Sequence, residues 1–273
     1  MNNKVLITGA TGFIGTNLLN FLKSSFIPYH GLSRSLKSSD ISKVSKYTNI
    51  EKHITRDQVC VHLAGNNNVN LVDHNEIEIA EYLSNVYGSN LIYLSSSYVY
   101  GDEYKKIITE TDDINTFSEY AFQKNRCEKI ILAKKGVVLR LSNVYGLNMK
   151  NNIFHHILNE INMNKSIIRL NKKNDIRDFI HVYDVCSALV LLIKNIHHGL
   201  YNISTGISTD ISTLCRIFLN NLKFDENKFS IKSESLNKSM IVLDSTKFSK
   251  KYLWKPSILL ADGVGEWLGS YGK

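Results

Sequence analysis

The sequence predicts an α/β protein built on a doubly wound parallel sheet, with a smaller C-terminal α/β lobe beside it. Three observations carry that expectation. Short apolar runs alternate with helical patterns through the first half of the chain, as they do where parallel strands are joined by helical crossovers. The first such unit, KVLITGATGFIGTNLLNFL over Lys4–Leu22, runs from an apolar strand through Gly9, Gly12 and Gly15 into a helix. After Leu141 the chain becomes richer in Asn and Lys and its elements become mainly helical.

Taken in order, the expected strands are Val5–Thr8, Ile27–Leu32, Val59–Ala64, Leu91–Ser95 and Val137–Leu141. The first helix opens at Phe13 and puts Ile14, Leu18, Phe21 and Leu22 at helical spacing. A second spans Asp73–Tyr87 through Ile77, Ala80, Tyr82 and Leu83, and a third spans Ser118–Lys134 around Tyr120 and Ile131. Beyond them come helices near Ile153–Ile161, at Val185–Lys194 with Asp184 as N-cap, at Ile211–Asn221 behind Thr209–Asp210, and after Pro256. No Pro/Gly linker interrupts the chain, so residues 1–142 and 143–273 are expected to form two lobes of one body with a cleft between them. The segments around 177–197 are expected to pack back on the first lobe.

Composition narrows the function. The chain has 273 residues, 43% of them hydrophobic and 21% charged, enough for a large core and unlike a disordered chain. Its longest apolar run, Ala188–Ile193, is too short to span a bilayer, and the strand at Val5 leaves no room for a leader, so the cytoplasm is the expected compartment. Cys60, Cys127, Cys186 and Cys215 lie far apart inside apolar patterns and read as buried thiols; no metal site is expected. The formal charge is +8, but the lysines are scattered, which fits phosphorylated small molecules better than nucleic acid.

A strand, glycine turn and helix in succession form a phosphate cradle. Missing side chains let the backbone approach a pyrophosphate, and the helix N-terminus offers free N–H groups and partial positive charge. Later in the chain Tyr120 and Lys124 stand four apart, on one helical face. A phenol ionises near pH 10 in water, and a neighbouring ammonium favours the phenolate. Tyr120 can then exchange a proton with a hydroxyl or carbonyl.

The spacing Gly9-x-x-Gly12-x-x-Gly15 recurs together with VHLAG (Val61–Gly65), YLSSSYVYG (Tyr93–Gly101), YAFQK (Tyr120–Lys124), LRLSNVYG (Leu139–Gly146), RDFIHVYD (Arg177–Asp184), GLYNIST (Gly199–Thr205) and LDSTKF (Leu243–Phe248). With these stretches the chain resembles the extended short-chain dehydrogenases/reductases, the family of NAD(P)-dependent nucleotide-sugar epimerases, dehydratases and ketoreductases. The resemblance implies a Rossmann-type first lobe that binds a dinucleotide and a second lobe that binds substrate. It assigns Gly9, Thr11, Gly12, Phe13, Ile14, Gly15, Leu63, Ala64 and Gly65 to the cofactor, with Lys124 on its ribose and Tyr120 beside it. It singles out Ser96 as the hydroxyl that joins Tyr120 and Lys124 in catalysis, next to Ser97 on the substrate. It also implies that Asn143 bonds the nucleotide sugar near its phosphates and that the helix Asp73–Tyr87 contributes to a homodimer. Arg177 is a candidate for the substrate pyrophosphate, because guanidinium matches phosphate in a bidentate manner; the competing reading is an ion pair with Asp175 or Asp178.

Departures from the family refine the reading. Dehydratases carry Asp-Glu after the catalytic hydroxyl, whereas Ser97 and Tyr98 stand here, which disfavours elimination. Gln123 replaces a small residue, the stretch from Gly65 to Leu91 is short with no NVxGT, and only Lys232 and Lys238 stand where some members use a further Arg. Where the expected second strand ends, YHGLSRS offers Ser33 and Arg34 and no carboxylate before Asp40. An acid there would bond a ribose 2′-OH, while an Arg accommodates a 2′-phosphate, so NADP(H) is expected over NAD(H). The expected activity is NADPH-dependent reduction of a nucleotide-diphosphate 4-keto-(6-deoxy) sugar in surface-polysaccharide or deoxysugar biosynthesis. An NAD-dependent 4-epimerase is the alternative, and a non-catalytic dinucleotide sensor is the third reading, opposed by the presence of Ser96, Tyr120 and Lys124.

Overall fold

The computed structural model describes residues 5–34, 38–44, 47–55, 58–65, 74–101, 106–149, 152–163, 166–170, 174–233 and 238–271. The first half runs β1 (Val5–Thr8), α1 (Phe13–Ser24), β2 (Tyr29–Ser33), β3 (Ile41–Lys43), β4 (Cys60–His62), α2 (His74–Tyr87), β5 (Leu91–Ser96), α3 (Glu119–Ala133) and β6 (Val137–Leu141). The second half runs β7 (Asn143–Tyr145), α4 (Ile153–Met163), β8 (Ile167–Leu170), β9 (Ile176–Arg177), β10 (Phe179–His181), α5 (Val182–Lys194) and β11 (Gly199–Ile203). It closes with β12 (Thr209–Asp210), α6 (Ile211–Asn221), β13 (Ser230–Ser233), β14 (Met240–Ile241), α7 (Thr246–Tyr252) and α8 (Leu260–Ser270).

Among the described residues the main sheet has seven strands in the order β11-β6-β5-β4-β1-β2-β3, each pair parallel. Both faces are covered, which is why its strands read as unbroken apolar runs. Side chains alternate between the two: Val5 and Ile7 enter the core shared with α1 and α5, while Leu6 enters the core shared with α2 and α3. The chain builds outward from β1 to β2 and β3, then returns to the other side of β1 with β4. The crevice at the carboxyl ends of β1 and β4 is therefore the topological switch point, where such sheets bind ligands.

A second core gathers α4, α6 and α8 around Phe154, Phe218 and Trp267, whose rings meet edge-on or tilted. The first lobe takes more from the second half than the expected 177–197. β11 supplies the sheet's edge strand, and Phe248 and Trp254 enter the α1–α5 core. All four cysteines are buried and free.

Several expected boundaries shift. β2 and β4 are displaced or shorter than expected, and β5 extends through Ser96. The helix expected from Asp73 is described from His74; Asp73 lies outside the described residues. The Asp184 N-cap is corrected: α5 begins at Val182, and the His181 ring nitrogen accepts the Tyr183 N–H. Asp184 is instead buried in the first turn. It accepts the Ser257 N–H and hydroxyl and the Ile258 N–H, fastening the segment after Pro256 to α5.

Candidate active site

The glycine turn is built by crowding. Gly9 has φ +69°, and a Cβ there would lie 2.7 Å from the Ala64 nitrogen on the neighbouring loop after β4. A Cβ on Gly15 would collide with the Gly9 carbonyl oxygen. Gly12 caps α1 without a side-chain hydrogen bond. Gly9 and Gly15 thus let the turn pack backbone against backbone, and the turn opens on a helix N-terminus, which fits a dinucleotide pyrophosphate. Thr11 Oγ1 lies 2.9 Å from Ser33 Oγ and ties the turn to the end of β2. Arg34 and Asp40 are exposed. Leu63, Ala64 and Gly65 follow β4, and Ala64 N–H donates to Thr8 Oγ1 at 3.2 Å. The residues expected at the cofactor thus converge at the carboxyl ends of β1, β2 and β4.

The expected catalytic residues come from β5 and α3. Ser96 ends β5, half-buried, and its hydroxyl accepts the Tyr98 N–H at 3.2 Å. Ser97 is buried. Ser95 turns away and donates to Glu128 at 2.5 Å. α3 starts on a Ser118 cap that accepts the Ala121 N–H, and Tyr120 in its first turn is half-buried, with the Tyr98 ring edge-on at 6.2 Å. Lys124 is buried, its Nζ 5.7 Å from the centre of the Tyr120 ring and 4.9 Å from that of Tyr93. A buried ion pair fixes α3 on the sheet: Arg140 of β6 donates to Glu128 through Nη2 at 2.6 Å and Nε at 3.0 Å.

The sequence reading missed Glu76. This carboxylate on α2 is 1% exposed and accepts three side-chain hydrogen bonds, from Tyr93 at 2.8 Å, Gln123 at 2.7 Å and Lys124 at 2.6 Å. Burial opposes charge on Lys124, but Glu76, with smaller help from Tyr120 and Cys127, outweighs it, and the ammonium's pKa is held above its ordinary value. Burial, with a smaller push from Glu76, raises the Tyr93 phenol far above the usual range, so it stays a donor. His62, next along, is pushed down to about 4 by burial and bonds Thr8 Oγ1 at 2.7 Å. The available signal was the side of the helix: the buried positions Glu76, Ala80, Leu83, Ser84 and Tyr87 form one stripe, and a carboxylate in such a stripe needs a partner.

The expected substrate residues lie in two small sheets outside the main one. Asn143 of β7 donates its Nδ2 to the Asp178 carbonyl at 3.2 Å, alongside a backbone bond to the same oxygen at 2.9 Å. Arg177 of β9 pairs with Asp175 at 3.0 Å, bonds Ser239 Oγ at 2.8 Å and donates to the Ile176 carbonyl. Asp178 is buried and ties β9 to GLYNIST by accepting the Thr205 N–H and hydroxyl and the Gly206 N–H. Lys232 and Lys238 are exposed.

The glycine turn stands at the switch point, Ser96 ends the neighbouring β5, and Tyr120 and Lys124 share α3. The model of the NAD dependent epimerase/dehydratase family matches residues 5–204, and the chain belongs to that family. Its family and its structural neighbours are NAD(P)-dependent nucleotide-sugar enzymes of the short-chain dehydrogenase/reductase type. It is 26% identical over 255 residues to GDP-6-deoxy-D-talose 4-dehydrogenase of Aggregatibacter actinomycetemcomitans, covering 85% of this chain and 86% of that one. It is 25% identical over 314 residues to dTDP-4-dehydro-6-deoxyglucose reductase of Escherichia coli, covering 98% and 97%. Its fold matches UDP-N-acetylglucosamine 4-epimerase from Bacillus cereus with a TM-score of 0.85 at 21% identity, covering 99% and 97% of the two chains. No helix among the described residues is long and apolar enough to cross a membrane.

Proposed function

We propose that this enzyme reduces a nucleotide-diphosphate 4-keto-(6-deoxy) sugar at C4, with NADPH preferred over NADH, in the cytoplasm. The observation that carries this reading is the end of β2. Ser33 bonds Thr11 of the phosphate turn, exposed Arg34 follows it, and Asp40 comes only after a further stretch of chain. A 2′-phosphate there meets a cation and no carboxylate. Ser97 and Tyr98 after the catalytic hydroxyl support reduction over elimination, since neither is a carboxylic acid.

When bound, the reduced dinucleotide supplies the hydride that converts the C4 carbonyl into an alkoxide. Gly9, Gly12 and Gly15 hold its pyrophosphate against the start of α1, and Lys124 takes the ribose hydroxyls. Ser96 hydrogen-bonds the reacting oxygen and stabilises its developing charge. The Tyr120 hydroxyl gives its proton to that oxygen, leaving a phenolate beside Lys124 that solvent reprotonates. Asn143 and Arg177 hold the phosphates of the nucleotide sugar. A second copy of the chain pairs through α2, where Val86 is 41% exposed.

The deciding assay supplies NADPH and, separately, NADH with a 4-keto-6-deoxy nucleotide sugar and follows nicotinamide absorbance. Stoichiometric loss with a higher kcat/KM for NADPH is the expected result. Interconversion of two C4-hydroxy sugars with no net change of cofactor identifies a 4-epimerase instead.

A further inference from the structure

We propose that Glu76 is a positioning residue that works through Lys124, clamping its ammonium between α2, β5 and α3 at the floor of the cofactor site. This inference rests on the cofactor reading above, since it deepens the role of Lys124. Two independent observations carry it.

The first is the set of donors. Tyr93 comes from β5, Gln123 and Lys124 from α3, and all three converge on one buried carboxylate of α2. Gln123, which departs from the small residue its family places before the lysine, fills the second carboxylate oxygen. With that oxygen occupied, Lys124 has its place on the first beside Tyr93, and it also donates to the Leu94 carbonyl at 3.5 Å.

The second is the room left for the carboxylate. A Cβ on Gly65 would lie 3.1 Å from both Glu76 oxygens, so the loop after β4 presses bare backbone against the clamp. Glu76 thereby touches the cofactor loop on one side and the catalytic helix on the other. The titratable groups facing it are His62 of β4, Tyr93 of β5, and Lys124 and Cys127 of α3, with Tyr120 beyond Lys124. Burial keeps His62 uncharged at neutral pH, holds Tyr93 protonated and pushes Cys127 up to about 12. Lys124 is thus the cation of the group, and Glu76 is the anion that keeps it charged.

The sign of the test follows from linkage. In the wild type Lys124 holds its proton more tightly folded than unfolded, so its contribution persists below the ordinary lysine pKa and is lost as pH rises through the higher folded value. In Glu76→Gln a buried ammonium without its counter-charge gives up its proton more easily than in the unfolded chain. The stability gap between wild type and variant then is widest near neutral pH and narrows as pH rises toward about 10, and this narrowing vanishes in a Lys124→Met background. NADPH affinity, read by nicotinamide fluorescence, should weaken in the variant as pH rises, with its Kd ratio to wild type growing ~10-fold between about pH 7 and about pH 9.5. A stability gap of constant size and a flat Kd ratio would make Glu76 a purely structural residue and overturn the proposal. A wild type that binds neither dinucleotide refutes the cofactor reading and the positioning role with it; the denaturation series then still reports whether Glu76 holds the charge.

Discussion

Tyr120 and Lys124 are neighbours on α3 with different surroundings. Tyr120 is half-buried near Tyr98, whereas Lys124 is buried. Removing only the proton-transferring hydroxyl in Tyr120→Phe should lower turnover ~100-fold or more while leaving the dinucleotide Kd nearly unchanged. Lys124→Met should damage both. Steady-state kinetics beside fluorescence titration separates the two, and a Tyr120→Phe enzyme with more than about a tenth of wild-type turnover contradicts proton transfer by this group. The four-residue spacing put the pair on one helical face, and the glycine turn and Ser-rich strand end before it singled it out. Glu76 escaped because the helix was read around Ile77, which is only half-buried, and one residue turns a helical face by about 100°. The carboxylate's partners stand in α3 and β5, far along the chain, and helical periodicity carries no record of them.

At the scale of elements, local chemistry was legible where it acted alone. Asp210 caps α6 through the Thr213 N–H as its position suggested. Asp184 had the same chemistry, but Ser257 and Ile258, more than seventy residues on, claim its oxygens. β3 was missed because it is a three-residue edge strand with one buried side chain. Arg177 shows the same tension between local and distant partners. Its guanidinium already holds Asp175 and Ser239, and a pyrophosphate must compete with them. Hydrogen bonds to charged groups contribute about 1.5–3 kcal/mol, so Arg177→Ala should raise the nucleotide-sugar Kd at least ~10-fold. The dinucleotide Kd should move far less, because Arg177 lies on β9, outside the glycine cradle. Calorimetric titration with each ligand decides the matter, and equal losses would reduce Arg177 to a bracket for β9 and β14.

At the scale of the molecule, the change in pattern after Leu141 suggested a second lobe, but the sharing of one core between the two halves of the chain was not legible. β11 lies at the sheet's edge and α5 covers α1, and no periodicity in the first half announces that its sheet is completed from the second. About half of the buried residues in the α1–α5 core come from beyond Ser142, among them Val185, Leu189, Ile203, Phe248 and Trp254. Burying such side chains contributes roughly 1.5–3 kcal/mol each, so losing the whole set exceeds the ~5–15 kcal/mol by which a native protein is stable. Cutting at 142 would also strip β6 of the partner it holds in register from Val137 to Leu141, leaving an apolar strand as an open edge prone to pairing with another chain. The fragment 1–142 should therefore fail to fold despite containing the whole glycine turn with Ser96, Tyr120 and Lys124. Circular dichroism melts and amide dispersion of the fragment check this: the expected outcome is aggregation or a non-cooperative signal. A fragment that melts cooperatively would show that the first lobe folds alone, and that α5, β11 and α7 dock onto a finished sheet.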